Sequence, residues 1–562
     1  MNTPSPAIVS NMAAIRLPKY SLFALCIVYV LAGSFDRDPW KSVDLTSLGY
    51  MMSLIDNSSS LLNINMAGMK PELDALLPYW IGMAAIKLLP WFSPDIAARL
   101  TFSAMNLLGM ACLWRGIYFL GRNPKAQPVA FAFGGQANPK DYACAMADAG
   151  LLAYVACLGL ALPSHEITPM AFQLNTVCIL FAGASCLAFH PKIGMAAVLL
   201  GTLLLTLSGA PTIATVLLIG IAFIWHQHPQ STKKQNAILG SALFAIICLN
   251  FFLELWQWRL VGVLEFNLKL KEQFELLIWF LWPAWPLAAW TLWKWRSHWQ
   301  TQVWTQHLTI PIFFFVITLI SSLLTQNSDR TLLLVLPSIS ALAAFALPTF
   351  SRSVAALVDW FTLLFFSICA LAIWIVWISL ETGIPKQPAL NVYRLVPGYI
   401  HQFQILPLIA ALFATAFWIK LVVWRVGRHP SAIWKSLILP AGGTSLCWVL
   451  LMSLWLPFLD HAMSYKAWTK ELVQATGSDT CIYFSTIDRH QVAGFAYHGN
   501  IRFENISTSQ HSCHWLLEKP NQNSNTSTYA RNEWVLKQTM QRPGDKSDVV
   551  LLYERSTIHQ HD

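Results

Sequence analysis

Charge is what this sequence has least of. Asp, Glu, Lys and Arg make up 12% of its 562 residues, while hydrophobic types make up 55%; a soluble domain carries about twice that charged share. A fold whose whole surface faces water is thereby excluded, and lipid becomes the main solvent. Signature loops are missing too. No Walker loop, GxGxxG, GxSxG or HExxH occurs, which disfavours an ATP-driven transporter or an intramembrane metalloprotease. No repeat of fixed period is present, as a transporter built from repeated halves would show. The formal net charge is +9, but Lys and Arg are scattered in ones and twos. Without a basic stripe there is no nucleic-acid footprint, and the positive-inside rule accounts for the cations instead.

What is abundant is apolar and aromatic: 26 Trp, 32 Phe and 14 Tyr, the rings that collect at water-membrane boundaries. Apolar runs able to cross roughly 30 Å of hydrocarbon lie near residues 20–35, 100–120, 143–162, 170–189, 193–209, 211–226, 236–256, 275–293, 308–325, 331–349, 355–380, 403–424 and 435–458. About thirteen transmembrane helices are expected. The run 76–91 is short, holds Lys87 and is flanked by Pro78 and Pro90, so it reads as an interfacial helix rather than a crossing. The first run follows Arg16 and Lys19 and reads as a retained helix, not a cleaved leader. With the N-terminus in the cytoplasm, the cytoplasmic connections collect Arg16, Lys19, Arg115, Arg122, Lys125, Lys140, Lys192 and Lys233, among others. The loops of the other face are longer and hold fewer cations per residue, as this orientation requires.

The expected organisation is a polytopic α-helical membrane domain, residues 1–459, with an external loop 36–99, followed by a small external α/β domain, residues 460–562. Strand-like runs stand at 480–485, 514–517 and 549–553, and 521–528 is a low-complexity loop. Of the 11 Cys, nine lie in or beside apolar runs as small hydrophobes. Cys481 falls in the first strand-like run of the tail and Cys513 at the edge of the second, so a disulfide is expected if the two strands are neighbours in an oxidising compartment, the alternative being two unpaired thiols.

Chemistry is expected in the external loop, which opens Phe35-Asp36-Arg37-Asp38-Pro39-Trp40-Lys41-Ser42-Val43-Asp44 directly after a membrane helix. Carboxylates at a membrane surface suit a general base or a divalent-cation ligand. His165-Glu166 and His226-Gln227-His228 have no third ligand nearby and sit at helix ends, so a metal reading of either is disfavoured.

An acidic motif after the first helix, Leu76-Leu77-Pro78-Tyr79-Trp80, and Ala97-Ala98-Arg99-Leu100 opening the next span together resemble glycosyltransferase family 39. This is a GT-C fold family that includes bacterial lipid A aminoarabinose transferases and protein O-mannosyltransferases. The resemblance implies transfer of a sugar from a polyprenyl-phosphate donor to lipid A, another glycan or a protein on the external face of a bacterial inner membrane. It implies Asp44 as the acidic residue beside the acceptor, with Asp36 and Asp38 as alternative equivalents, and Tyr79 and Arg99 as further site positions. Departures from the pattern are specific. The family's Glu-Lys pair is replaced in Pro71-Glu72-Leu73-Asp74, leaving Glu72 or Asp74 to supply charge, and its Thr-Lys-Gly lysine has no counterpart in Leu207-Ser208-Gly209. Asp148 in Met146-Ala147-Asp148 stands where the family has an external acidic motif, yet the span count puts it towards the cytoplasm. Cations for the lipid phosphate are expected from Arg330, Lys269 and Lys271, with Arg259 nearby; Arg330 opens an external span end and has the fork that grips phosphate. No resident cofactor is implied beyond a divalent cation, and a monomer among membrane lipids is expected. The rival reading is a GT-C scaffold that binds or transports lipid-linked substrates without transfer.

Overall fold

The structure is a computed structural model. It describes residues 5–40, 42–256, 263–297, 305–325, 328–427, 432–507, 513–520, 533–542, 544–545 and 547–556. Arg259, the loop 521–528 and the side chain of Lys269 lie outside the described residues.

Every apolar run of the sequence is a helix or a bent pair of helices. Among the described residues eight are long and apolar enough to cross a membrane, ten if each bent pair is one crossing, by length and composition. The bends are 67° between Pro139–Ala156 and Leu158–His165, with the break at Cys157, and 87° between Gln273–Phe280 and Ala284–Lys294; Pro283 stands in the second break, where a missing N–H and a fixed φ end a helix. The remaining three of the thirteen expected runs are shorter apolar helices. They are α1 (Lys19–Leu31) and the helices Pro191–Leu207 and Pro211–His226, of 13, 17 and 16 residues, at or below the lower end of the roughly 17–25 residues of a crossing. The last two stay separate because Gly209 turns the chain at φ +86°, a conformation open to glycine.

Two compact units divide the chain. The first comprises Met1–Ser34, Leu100–Ala372 and Leu406–Ser453 and is the apolar bundle. Its centre is the helix Pro139–Ala156, buried from Tyr142 onward. Thr444 donates its hydroxyl to the Ala156 carbonyl at 3.1 Å. Close packing here relies on small residues, as expected where lipid removes the hydrophobic drive between helices. A Cβ on Gly183, in the helix Pro169–Cys186, would lie 2.8 Å from the Val198 backbone nitrogen, and one on Gly194 would lie 2.8 Å from the Leu187 nitrogen. Gly183→Leu must therefore push the next helix away. We expect a loss of about 1–3 kcal/mol or more, read as a lower melting temperature in detergent, with Gly183→Ala intermediate; an unchanged melting temperature would contradict this packing.

The second unit comprises Phe35–Arg99, Ile373–Ile405 and Leu454–Asp562. The external loop contributes α2 (Val43–Ile55) and α3 (Leu77–Leu88), the second over the expected interfacial run. The tail forms a five-stranded sheet in the order β2-β1-β3-β5-β4. The strands are β1 (Cys481–Phe484), β2 (Arg502–Asn505), β3 (Trp515–Glu518), β4 (Trp534–Gln541) and β5 (Val549–Arg555). β1 pairs in parallel with β2 and β3, and β5 antiparallel with β3 and β4. Cys481 and Cys513 are joined in a disulfide with their Cα atoms 5.2 Å apart. The helix Arg489–Gly499 crosses from β1 to β2 and packs on α2, where Gly49 admits Ala493. Buried Asp548 ties this domain together. It accepts from the Tyr465 hydroxyl at 3.0 Å, Gln491 Nε2 at 2.7 Å and Arg542 Nε at 2.9 Å, which satisfies a charge that would be costly to bury alone.

Candidate functional site

The acidic loop is organised by buried charge. Asp44 lies in the first turn of α2, where the helix dipole favours a carboxylate. It is 1% exposed, as are Arg37 and Arg99. Asp44 Oδ2 is 3.6 Å from Arg37 Nη2 and 4.0 Å from Arg99 Nη2. Arg99 Nη1 donates to the Arg37 carbonyl at 2.8 Å and lies 3.6 Å from Asp95, one helical turn earlier. The Arg37 guanidinium also sits 5.0 Å from the Trp40 ring centre. Asp44 is thus enclosed among guanidiniums, with no face open to an incoming acceptor.

Asp38 is placed differently. It is half-buried, its Oδ2 accepts from the Ser464 hydroxyl at 2.8 Å, and its backbone N–H donates to Asp460 Oδ2 at 3.4 Å. Asp460 in turn accepts from Trp40 Nε1 at 2.6 Å. The loop is therefore tied to the start of the tail through a carboxylate that keeps partial access to solvent. Asp36 is exposed, with φ at +57°, a left-handed conformation that Asp tolerates better than most residues.

The helix Arg489–Gly499 completes the cluster. The Tyr497 hydroxyl donates to Asp95 Oδ1 at 2.8 Å, and burial together with Asp95 holds that hydroxyl far above its ordinary pKa, so it remains a donor. The His498 ring lies 4.9 Å from that of Tyr497. Burial lowers the His498 pKa; the carboxylates of Asp38 and Asp95 oppose this, and Lys466 adds to it.

Other expected positions fall apart from this cluster. Glu72 is exposed and pairs with Arg489 at 3.3 Å; Asp74 is half-buried. Tyr79 is buried and its ring tilts against Tyr50 at 5.5 Å, a packing role within the loop. Asp148 accepts from the Leu17 N–H at 3.0 Å and from Trp114 Nε1 at 2.8 Å. It anchors the N-terminal approach to α1, whereas the acidic loop leaves the other end of that helix. In the bundle unit, Arg330 forks onto Glu166, Nε to Oε2 at 2.8 Å and Nη2 to Oε1 at 2.7 Å. Lys271 is exposed. Among the described residues the His, Cys, Asp and Glu side chains gathered closely enough to hold a metal are Cys481, Glu504 and Cys513, and there the two sulfurs are already bonded to each other.

Sequence reading missed Asp95, Asp460, Tyr497, His498 and Glu166. Asp95 had a usable signal, its i,i+4 spacing to Arg99. Asp460, Tyr497 and Glu166 had none, because their partners lie 164 to 422 positions away.

No protein-family profile and no curated protein matches the chain. Solved structures do. ArnT from Cupriavidus metallidurans bound to undecaprenyl phosphate matches with a TM-score of 0.59 at 13% identity, over 95% of this chain and 97% of that one. The same protein in the apo state matches with a TM-score of 0.57 at 12% identity, with the same coverage. At such identity the likeness is one of fold: this chain has a GT-C-type fold like that of ArnT, a multi-pass helical membrane domain with a small C-terminal sheet domain.

Proposed function

We propose that this protein is a membrane glycosyltransferase that moves a sugar from a polyprenyl-phosphate donor to an acceptor on the external face of a bacterial inner membrane, lipid A being the first acceptor to test. The observation that carries this reading is whole-chain fold similarity to ArnT, whose structure holds undecaprenyl phosphate, in a chain that also sets a ring of carboxylates and arginines directly after its first helix. In this reading the N-terminus is cytoplasmic, the loop 36–99 and the tail 460–562 are external, and the monomer works alone. Asp38 is the general base, since it is the loop carboxylate that is both oriented and open. It takes the proton of the acceptor hydroxyl or amine as that atom bonds to the anomeric carbon, and the bond from that carbon to the phosphate oxygen breaks with its electron pair on the phosphate. Asp44, Arg37 and Arg99 hold the loop in shape, and positioning supplies much of the rate. Arg330 exchanges Glu166 for the donor phosphate, with Lys269 and Lys271 as further cations.

The test uses purified protein in proteoliposomes, supplied with undecaprenyl-phosphate-linked aminoarabinose or mannose and with lipid A. Release of undecaprenyl phosphate that requires both donor and acceptor supports the reading. Arg330→Gln is expected to weaken undecaprenyl phosphate binding roughly tenfold, the worth of one charge-assisted contact; unchanged affinity would remove Arg330 from the phosphate site. A second reading, a scaffold that binds lipid-linked substrates without transfer, draws on the Arg330 fork being engaged by Glu166 and on the absent Thr-Lys-Gly lysine. Tight binding of undecaprenyl phosphate with no release from either donor would favour it.

A further inference from the structure

The second unit holds a pocket of about 330 Å³ that shares no residue with the acidic cluster; Gly398, Tyr399, Ile400, Gln402, Gln404 and His461 line it. Its volume falls within the roughly 300–1,000 Å³ of small-molecule sites. Gly398 takes φ +79°, a conformation open to glycine, and turns the chain after the helix Lys386–Leu395, so that Tyr399 packs with Val392, Val396 and Phe458. The wall is then fixed by hydrogen bonds. His401 Nε2 donates to Glu381 Oε1 at 2.7 Å, and the Tyr399 hydroxyl donates to His401 Nδ1 at 3.0 Å. A carboxylate only accepts, so the ring proton stays on Nε2 and Nδ1 is left to accept from Tyr399. Burial, with Tyr393 and Glu381, pushes the Tyr399 pKa up to about 12, so its hydroxyl stays neutral. The His461 ring stands edge-on to Tyr399 with centres 5.8 Å apart. Gln402 and Gln404 are exposed, and each amide offers both an acceptor and a donor. Among the described residues that line the pocket none is Asp, Glu, Lys or Arg.

The pocket stands where lipid meets water. Residues 383–404 join two apolar helices, Arg352–Thr382 and Ile405–Val426, each long enough to cross a membrane. The short helix between them buries Ala389 and Val392 and exposes Leu390, Tyr393 and Leu395; Ile384, Ile400 and Phe403 are exposed as well. Apolar and aromatic side chains beside a span end suit the acyl boundary of a bilayer. A charged headgroup would meet no counter-charge from this lining, which is costly. Hydroxyl groups, each a donor and an acceptor, match the two amides.

We propose that this pocket binds the uncharged sugar headgroup of a membrane glycolipid. The headgroup hydroxyls exchange hydrogen bonds with Gln402 and Gln404, the sugar ring rests on the wall made by Tyr399 and His461, and the acyl chains run past Ile400 and Phe403. The site is separate from the acidic loop and does not depend on the transferase reading.

The experiment is native mass spectrometry of the full chain in detergent, titrated separately with monoglucosyl diacylglycerol, phosphatidylglycerol and glucose. Wild type should retain the glycolipid in preference to phosphatidylglycerol. The double variant Gln402→Leu with Gln404→Leu should bind the glycolipid about tenfold more weakly, the worth of two neutral hydrogen bonds, with its affinity for phosphatidylglycerol and its melting temperature unchanged. Both side chains are exposed, so the variant keeps the fold. Phosphatidylglycerol held as tightly as the glycolipid would make the site a general lipid contact and overturn the proposal. So would an unchanged glycolipid affinity in the double variant, or retention of glucose without retention of the glycolipid. None of these results bears on undecaprenyl phosphate release, so the transferase reading is decided separately.

Discussion

Asp38→Asn should reduce sugar transfer by about 10²–10⁴-fold, the range lost when a positioned general base is removed, while leaving the melting temperature and the affinity for undecaprenyl phosphate as in wild type. The reasoning is one of access. Asp38 is half-buried and receives the Ser464 hydroxyl on one oxygen, so it is aimed without being enclosed. The amide of Asn keeps that hydrogen bond and the size of the side chain, but cannot take a proton. Asp44→Asn is the necessary comparison, because Asp44 is the position the family resemblance favours. Asp44 is 1% exposed between Arg37 and Arg99, so its neutralisation should appear first as lost stability. Full transfer by Asp38→Asn would return the assignment of the base to Asp44 or Asp36.

Arg99→Leu should be the most destabilising single change in the loop, costing about 3–5 kcal/mol, the range for removing one member of a buried ion pair. Arg99 is 1% exposed and stands between two carboxylates, Asp44 at 4.0 Å and Asp95 at 3.6 Å, while also donating to the Arg37 carbonyl. Leu fills much of the volume and leaves both acids buried without that cation. Arg99→Lys should recover only part of the loss, since one ammonium cannot reproduce the planar fork that serves three acceptors. Melting of the purified variants in detergent decides the matter: a fall of less than two or three degrees in Arg99→Leu would mean that water or other side chains already carry these charges.

The difference between Asp38 and Asp44 shows how far local sequence reaches. Both were visible as charges in a loop behind a membrane helix, and composition could not rank them. Asp44 was favoured by its place in a motif. The proposed function turns to Asp38 because Asp44 is buried, and that burial depends on Arg37 and Arg99 closing over it. Arg330 was similarly legible as a cation at a span end. Its partner was not, because Glu166 lies 164 residues earlier.

The sequence alone determined the solvent and the class of fold. Apolar runs are local, and lipid leaves the backbone within them little choice but helix, so the spans could be placed before any contact was known, as could the short helix over residues 77–88. The separation of the helices Pro191–Leu207 and Pro211–His226 also has a local cause, Gly209 at positive φ followed by Pro211 at the start of the second helix. Tertiary structure decided which charges meet. Asp38 with Asp460 and Asp95 with Tyr497 join segments about 400 residues apart. Such meetings follow from the packing of the tail's helix on α2, a surface match between elements that no run of neighbouring residues encodes.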